Sequence, residues 1–79
     1  MARVLLFGPL RDIAGWRERD VVAANLAELR RQLGADHPAL ADALAAPGVQ
    51  VALDQAIVRG DAALSATAEV AFLPPMSGG

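Results

Sequence analysis

Glu69-Val70-Ala71-Phe72-Leu73-Pro74-Pro75-Met76-Ser77-Gly78-Gly79, the last stretch of the sequence, decides the reading of the fold. Its first five residues are rich in strand formers. Pro74-Pro75 ends the strand by removing two backbone donors in a row. At the other end of the chain, Arg3-Val4-Leu5-Leu6-Phe7 is a second apolar run, ended by Gly8-Pro9. These two runs are the most apolar strand candidates. They are therefore expected side by side in the centre of one sheet.

The intervening sequence supplies the other elements. Leu10 to Gly15 reads as a helical turn closed by glycine. Trp16 to Val22 reads as a strand paired with the first. The clearest helix spans Leu26 to Leu33. Asn25 is its N-cap, and Glu28 at the third helical position makes a variant of the capping box. Leu26, Leu29 and Leu33 share one face. Arg30 and Arg31 fall in the later turns, where the helix dipole favours positive charge. Gly34 is expected to stop this helix, and Val22 to staple onto Leu29. Pro38 opens a shorter helix with Leu40 and Leu44 facing inward. Pro47-Gly48 is a turn, and Val49 to Leu53 a strand. Asp54-Gln55 forms a tight turn into Ala56-Ile57-Val58, and residues 61–67 form a loop anchored by Leu64. The order gives an α+β domain, a mixed sheet packed on one main helix. That arrangement is the ubiquitin-like β-grasp, expected over residues 1–73 with a flexible tail at 74–79.

Composition narrows the function. Seventy-nine residues make one domain at most. The absence of cysteine excludes a disulfide scaffold, a zinc ribbon and a thiol nucleophile. The one histidine, His37, builds no metal cluster alone, and no metal site is expected. A formal charge of −2 argues against a nucleic-acid surface. Eighteen alanines inflate the 54% hydrophobic fraction. No apolar run approaches the ~20 residues of a membrane helix, and none resembles a signal peptide. A cytoplasmic protein that binds neither membrane nor nucleic acid is expected. All seven basic residues are arginine. No nucleophile, base and orienting group combine into a catalytic set, so the domain is expected to be non-catalytic alone. Trp16 reads as a half-buried packing residue, and Arg17-Glu18-Arg19-Asp20 as a solvated strand face.

The tail carries the chemistry. Two prolines favour an extended backbone that holds Met76 and Ser77 away from the domain. Gly78 and Gly79 have no side chains and so can enter a channel too narrow for any other residue, and they tolerate unusual backbone angles. A glycine carboxylate is also the least hindered that a chain end offers. The alternative is an inert, disordered terminus.

Taken with Val4 to Gly15 and with Val51-Ala52-Leu53-Asp54-Gln55, this ending resembles the small subunit of molybdopterin synthase, the MoaD family of sulfur carriers. The similarity covers nearly the whole chain. It departs at Asp54, where that family usually has asparagine, and at Thr67-Ala68, where it often has Gly-Asp. The resemblance implies that the Gly79 carboxylate is adenylated by a ubiquitin-activating-type enzyme that uses ATP. A sulfur donor then converts it to a thiocarboxylate. Sulfur passes to a pterin precursor, cyclic pyranopterin monophosphate, in molybdenum cofactor biosynthesis. It further implies that the chain binds no cofactor itself and forms a heterotetramer with the synthase large subunit. Phe7, Arg11, Ile57 and Leu73 stand at matching positions of the partner interface. Core packing, or solvation for Arg11, is the other reading of each. Related carriers serve thiamine thiazole formation, tRNA thiolation and cysteine synthesis, and a ubiquitin-like modifier is a further alternative. Phe7-Gly8-Pro9-Leu10-Arg11 and Phe72-Leu73-Pro74-Pro75 favour the molybdopterin branch. Lacking lysine, the chain forms no lysine-linked polymers of itself.

Overall fold

The computed structural model describes residues 1–75. The elements follow in the order β1 (Ala2–Leu6), α1 (Pro9–Ala14), β2 (Glu18–Val21), α2 (Leu26–Asp36), α3 (Pro38–Leu44), β3 (Gln50–Leu53), β4 (Ala56–Val58) and β5 (Glu69–Leu73). The strands form one mixed sheet in the order β2-β1-β5-β3-β4. The first and last strands are adjacent and parallel, with Val4 opposite Val70 and Leu6 opposite Phe72. All other pairings are antiparallel. This is the β-grasp expected from the two apolar ends of the chain.

Alternation along the strands explains the core. Val4, Leu6, Val51, Val70 and Phe72 point to one face, where Leu26, Leu29 and Leu33 of α2 and Leu40 and Leu44 of α3 cover them. Phe72, Val70, Val4 and Leu29 are fully buried. Each such side chain contributes roughly 1.5–3 kcal/mol through burial. No charged or polar residue is buried among the described residues.

The start of α2 is locked locally. Asn25 Oδ1 accepts from the Glu28 N–H at 2.8 Å, as the sequence predicts. Glu28 Oε2 in turn accepts from the Ala24 N–H at 3.0 Å, one residue earlier than in the usual capping box. Asp61 Oδ1 takes up a further first-turn donor, the Ala27 N–H at 2.9 Å. The loop anchored by Leu64 is thereby tied to the helix, and the Leu64 N–H donates to Ala24 O.

Three local expectations need correction. Gly34 does not end α2, which continues to Asp36 and is capped by His37. The glycine serves close packing instead, since a Cβ there would lie 2.9 Å from Ala41 Cβ on α3. Because the helix is longer, Arg30 and Arg31 lie outside its last turn, which carries no base. Val22 is 71% exposed and staples nothing. Its carbonyl instead accepts from Gln32 Nε2 at 2.7 Å. The Pro38 helix start is as expected, with His37 Nδ1 accepting from the Leu40 N–H.

The departure at Asp54 leaves the hairpin intact. Asp54 and Gln55 both adopt positive φ, 49° and 72°, as a two-residue β3–β4 turn requires. Asp54 Oδ1 also accepts from the Glu69 N–H at 2.9 Å, which ties the turn to the head of β5. At the other departure, Ala68 is buried and its carbonyl accepts from the Arg3 N–H at 2.8 Å.

Candidate functional site

The side chains of β5 that do not enter the core define the other face of the sheet. Ala71 lies opposite Leu5 on one side and Ala52 on the other, and Ala52 lies opposite Ile57. Leu5, Ala71, Ala52 and Ile57 therefore form an apolar row across four strands. With ~4.8 Å between strands, the row spans about 14 Å. No described helix covers it, since the helices that bury the core lie on the opposite face. Ile57 is 48% exposed. One step nearer the chain end lies Leu73, opposite Gln50.

Phe7 sits just beyond β1 and is 45% exposed, which sets aside the core-packing reading for it. It lines a groove of about 290 Å³ with Leu5, Arg11 and Arg17. The structure thus brings Phe7 and Arg11 together at one side of the face. Leu73 stands at the centre and Ile57 at the far side. Leu5, Ala52 and Ala71 complete the face and are absent from the sequence-level site. The signal was present in the alternation of β5, whose odd-numbered residues point away from the core.

Charge divides this face. At its far end, Arg3 pairs with Glu18 at 3.3 Å and approaches Asp20 at 4.0 Å, and Arg3 lies opposite Glu69. Arg11 and Arg17 lie toward the end where β5 leaves the sheet. Neither has an ion pair among the described residues. Arg19 faces the helices, with its guanidinium 4.5 Å from the Trp16 ring and 3.6 Å from Asp36. Trp16 packs half-buried against the core, as expected.

The root of the tail is held between two turns. Gly8, between β1 and α1, has φ +57°, and a Cβ there would meet Pro74 Cγ at 3.3 Å. Gly48, ahead of β3, has φ +89°, and a Cβ there would meet Pro75 Cβ at 2.9 Å. Both glycines are needed twice, for the left-handed backbone and for the close approach of a proline. Pro74 and Pro75 therefore leave the sheet in a direction set by the β1–α1 and α3–β3 turns. Met76, Ser77, Gly78 and Gly79 lie outside the described residues. Among the described residues no group of three metal-ligating side chains occurs. No described helix is long and apolar enough to cross a membrane.

The ThiS family model matches residues 4–79, including the Gly-Gly ending. Among solved structures, the fold is similar to small archaeal modifier protein 1 from Methanosarcina acetivorans. That match has a TM-score of 0.88 at 22% identity and covers 99% of this chain and 95% of that one. Small archaeal modifier protein 1 from Haloferax volcanii is 28% identical, with a TM-score of 0.79 over 99% and 98% of the two chains. A Pyrococcus furiosus protein described as a putative molybdopterin converting factor, subunit 1, is 21% identical, with a TM-score of 0.81 over 95% and 97%. No curated protein matches the sequence.

Proposed function

The chain belongs to the ThiS family and has the fold of ubiquitin-like sulfur carriers and modifiers, and on that premise we propose that it is the sulfur-carrying small subunit of a molybdopterin synthase. The observation that carries this reading is the contact between the two motif segments. Phe7 to Arg11 and Phe72 to Pro75, remote in sequence, meet where Gly8 approaches Pro74 and together set the exit of the tail. Beside that exit lies an apolar face that no described helix covers, which is what a carrier needs in order to dock while its end reaches into another protein.

In this reading the Gly79 carboxylate attacks the α-phosphate of ATP in an activating enzyme, releasing pyrophosphate. The acyl-adenylate so formed has a good leaving group, which the carboxylate lacks. A sulfur donor displaces AMP, and the end becomes a thiocarboxylate, a soft nucleophile that is ionised at neutral pH. Its sulfur then bonds to the pterin precursor in the large subunit, water cleaves the acyl–sulfur bond, and the Gly79 carboxylate is regenerated. Four residues beyond Pro75 reach at most ~14 Å, enough to enter a partner's active site without moving the domain. Gly78 and Gly79 are the acting residues, Pro74 to Ser77 are the arm, and Phe7, Arg11, Ile57 and Leu73 are the docking contacts.

The test uses a chemically prepared thiocarboxylate. Deleting Gly79 withdraws the reactive end by up to ~3.6 Å, and a ~1 Å misplacement already costs about a hundredfold in rate. Transfer to the pterin should be nearly abolished with thermal stability unchanged. Full activity from the deletion would refute the carrier reading. The 28% identity to the Haloferax modifier favours a second reading, conjugation to other proteins. An isopeptide adduct on target lysines, formed with ATP and the activating enzyme, would establish it.

A further inference from the structure

At the β4 edge of the sheet a groove opens that the tail chemistry does not use. Two cavities, of about 330 and 290 Å³, meet at Arg30 and Gly60. The first runs from Gly48 at the head of β3 to Arg59 just after β4. The second continues to the first turn of α2. The groove therefore starts at the glycine that touches Pro75 and leads away between α2 and the sheet edge.

Two arginines are among the residues that line it. Arg30 is half-buried and held in place: its guanidinium lies 5.2 Å from the Phe72 ring, and Nη1 donates to Leu44 O at 3.5 Å. A guanidinium has five N–H donors, so most remain free for a ligand. Continuing the β3–β4 register by one residue places Arg59 opposite Gln50, which itself lies opposite Leu73. Arg59 is thus the link between the groove and the tail end of the apolar face. Neither arginine pairs with a carboxylate among the described residues, whereas Arg3 and Arg19 do. The one described acid on the groove wall, Asp61, is held at the first turn of α2, its Oδ1 accepting from the Ala27 and Ala62 N–H groups.

We propose that this groove docks an acidic stretch of the partner protein, with its carboxylate side chains taken by Arg30 and Arg59. The argument is charge complementarity: two arginines with no carboxylate partner among the described residues, one of them preset by packing, line a groove that has a single described acid. Guanidinium suits carboxylate geometry better than any other cation in proteins. The inference rests on reading the tail end of the sheet as partner-facing, but it does not require sulfur chemistry.

The experiment titrates acetyl-Glu-Glu-Glu-Glu-amide into the isotope-labelled full chain and follows the arginine Nε–H signals by NMR. Saturable shifts at Arg30 and Arg59 are expected. Arg59→Gln, on an exposed residue, should weaken binding about tenfold or more, the loss of a charge-assisted contact. Arg31→Gln removes the same charge from the exposed side of α2 and should leave binding unchanged. Absence of saturable shifts would overturn the proposal. So would equal weakening by Arg31→Gln, or inorganic phosphate displacing the peptide at comparable affinity. Sulfur transfer from the thiocarboxylate form is measured in parallel. Failed peptide binding with intact transfer overturns the groove alone, and failed transfer with intact peptide binding overturns the carrier reading alone.

Discussion

Gly48→Ala should separate the direction of the tail from the stability of the domain. At φ +89° a non-glycine residue costs about 1–2 kcal/mol in backbone strain. The added methyl would also lie 2.9 Å from Pro75 Cβ and 3.3 Å from its Cγ, inside the ~3.5–4.0 Å of a normal carbon contact. Pro75 is exposed and the core does not clamp it, so the proline yields rather than the core. The stability loss should therefore stay near the strain alone, a fall in Tm of roughly 4–16 °C for a domain of this size. A shift of Pro75 redirects the root of the tail, and to the extent that it misplaces the reacting end by about 1 Å it should lower sulfur transfer by up to about a hundredfold. Gly15→Ala is the control. Its φ is +83°, but a Cβ there meets nothing within 4 Å. Both variants should lose similar stability by thermal unfolding, while only Gly48→Ala loses single-turnover transfer from the thiocarboxylate form. Equal transfer by the two variants would refute the idea that the Gly48–Pro75 contact aims the tail.

Asn25→Ala removes the bond to the Glu28 N–H and should cost about 1 kcal/mol, seen as a lower Tm, with sulfur transfer unchanged in the folded protein. Gly34→Ala gains about 1 kcal/mol in helix propensity but meets Ala41 Cβ at 2.9 Å, an overpacking cost of about 1–3 kcal/mol. A net loss of up to about 2 kcal/mol is expected by denaturant titration, reversed when Ala41→Gly is added. Phe7→Asp places a charge on the exposed apolar face. It should leave thermal unfolding unchanged while weakening the large-subunit complex about tenfold or more by calorimetry.

The central pairing of the sheet was legible because β1 and β5 are short, apolar and bounded by Gly-Pro and Pro-Pro. The start of α2 was legible for a similarly local reason, since Asn25 and Glu28 satisfy donors within one turn. Its end was not. Gly34 looks like a stop, and only the neighbouring α3 explains why a residue without a side chain stands inside the helix. Val22 failed as a staple for the same reason, because tertiary placement left it facing solvent. Four site residues, Phe7, Arg11, Ile57 and Leu73, were named one by one. That they share one face with Leu5, Ala52 and Ala71 depends on strand register, which no single segment encodes. Arg59 and Arg30 were invisible as a pair, since α2 and β4 come together only in the folded chain. The glycine cradle under Pro74 and Pro75 was hidden likewise, for Gly8 and Gly48 each read simply as a turn.

The measurement that tests the account most directly is the intact mass of the chain after incubation with ATP, an activating enzyme of this type and a sulfur donor. The account predicts a mass increase equal to the exchange of one oxygen for one sulfur. Fragmentation should locate it on Gly79, and it should disappear when the large subunit and the pterin precursor are added. A chain whose mass stays unchanged, or whose sulfur is found anywhere other than Gly79, would contradict it.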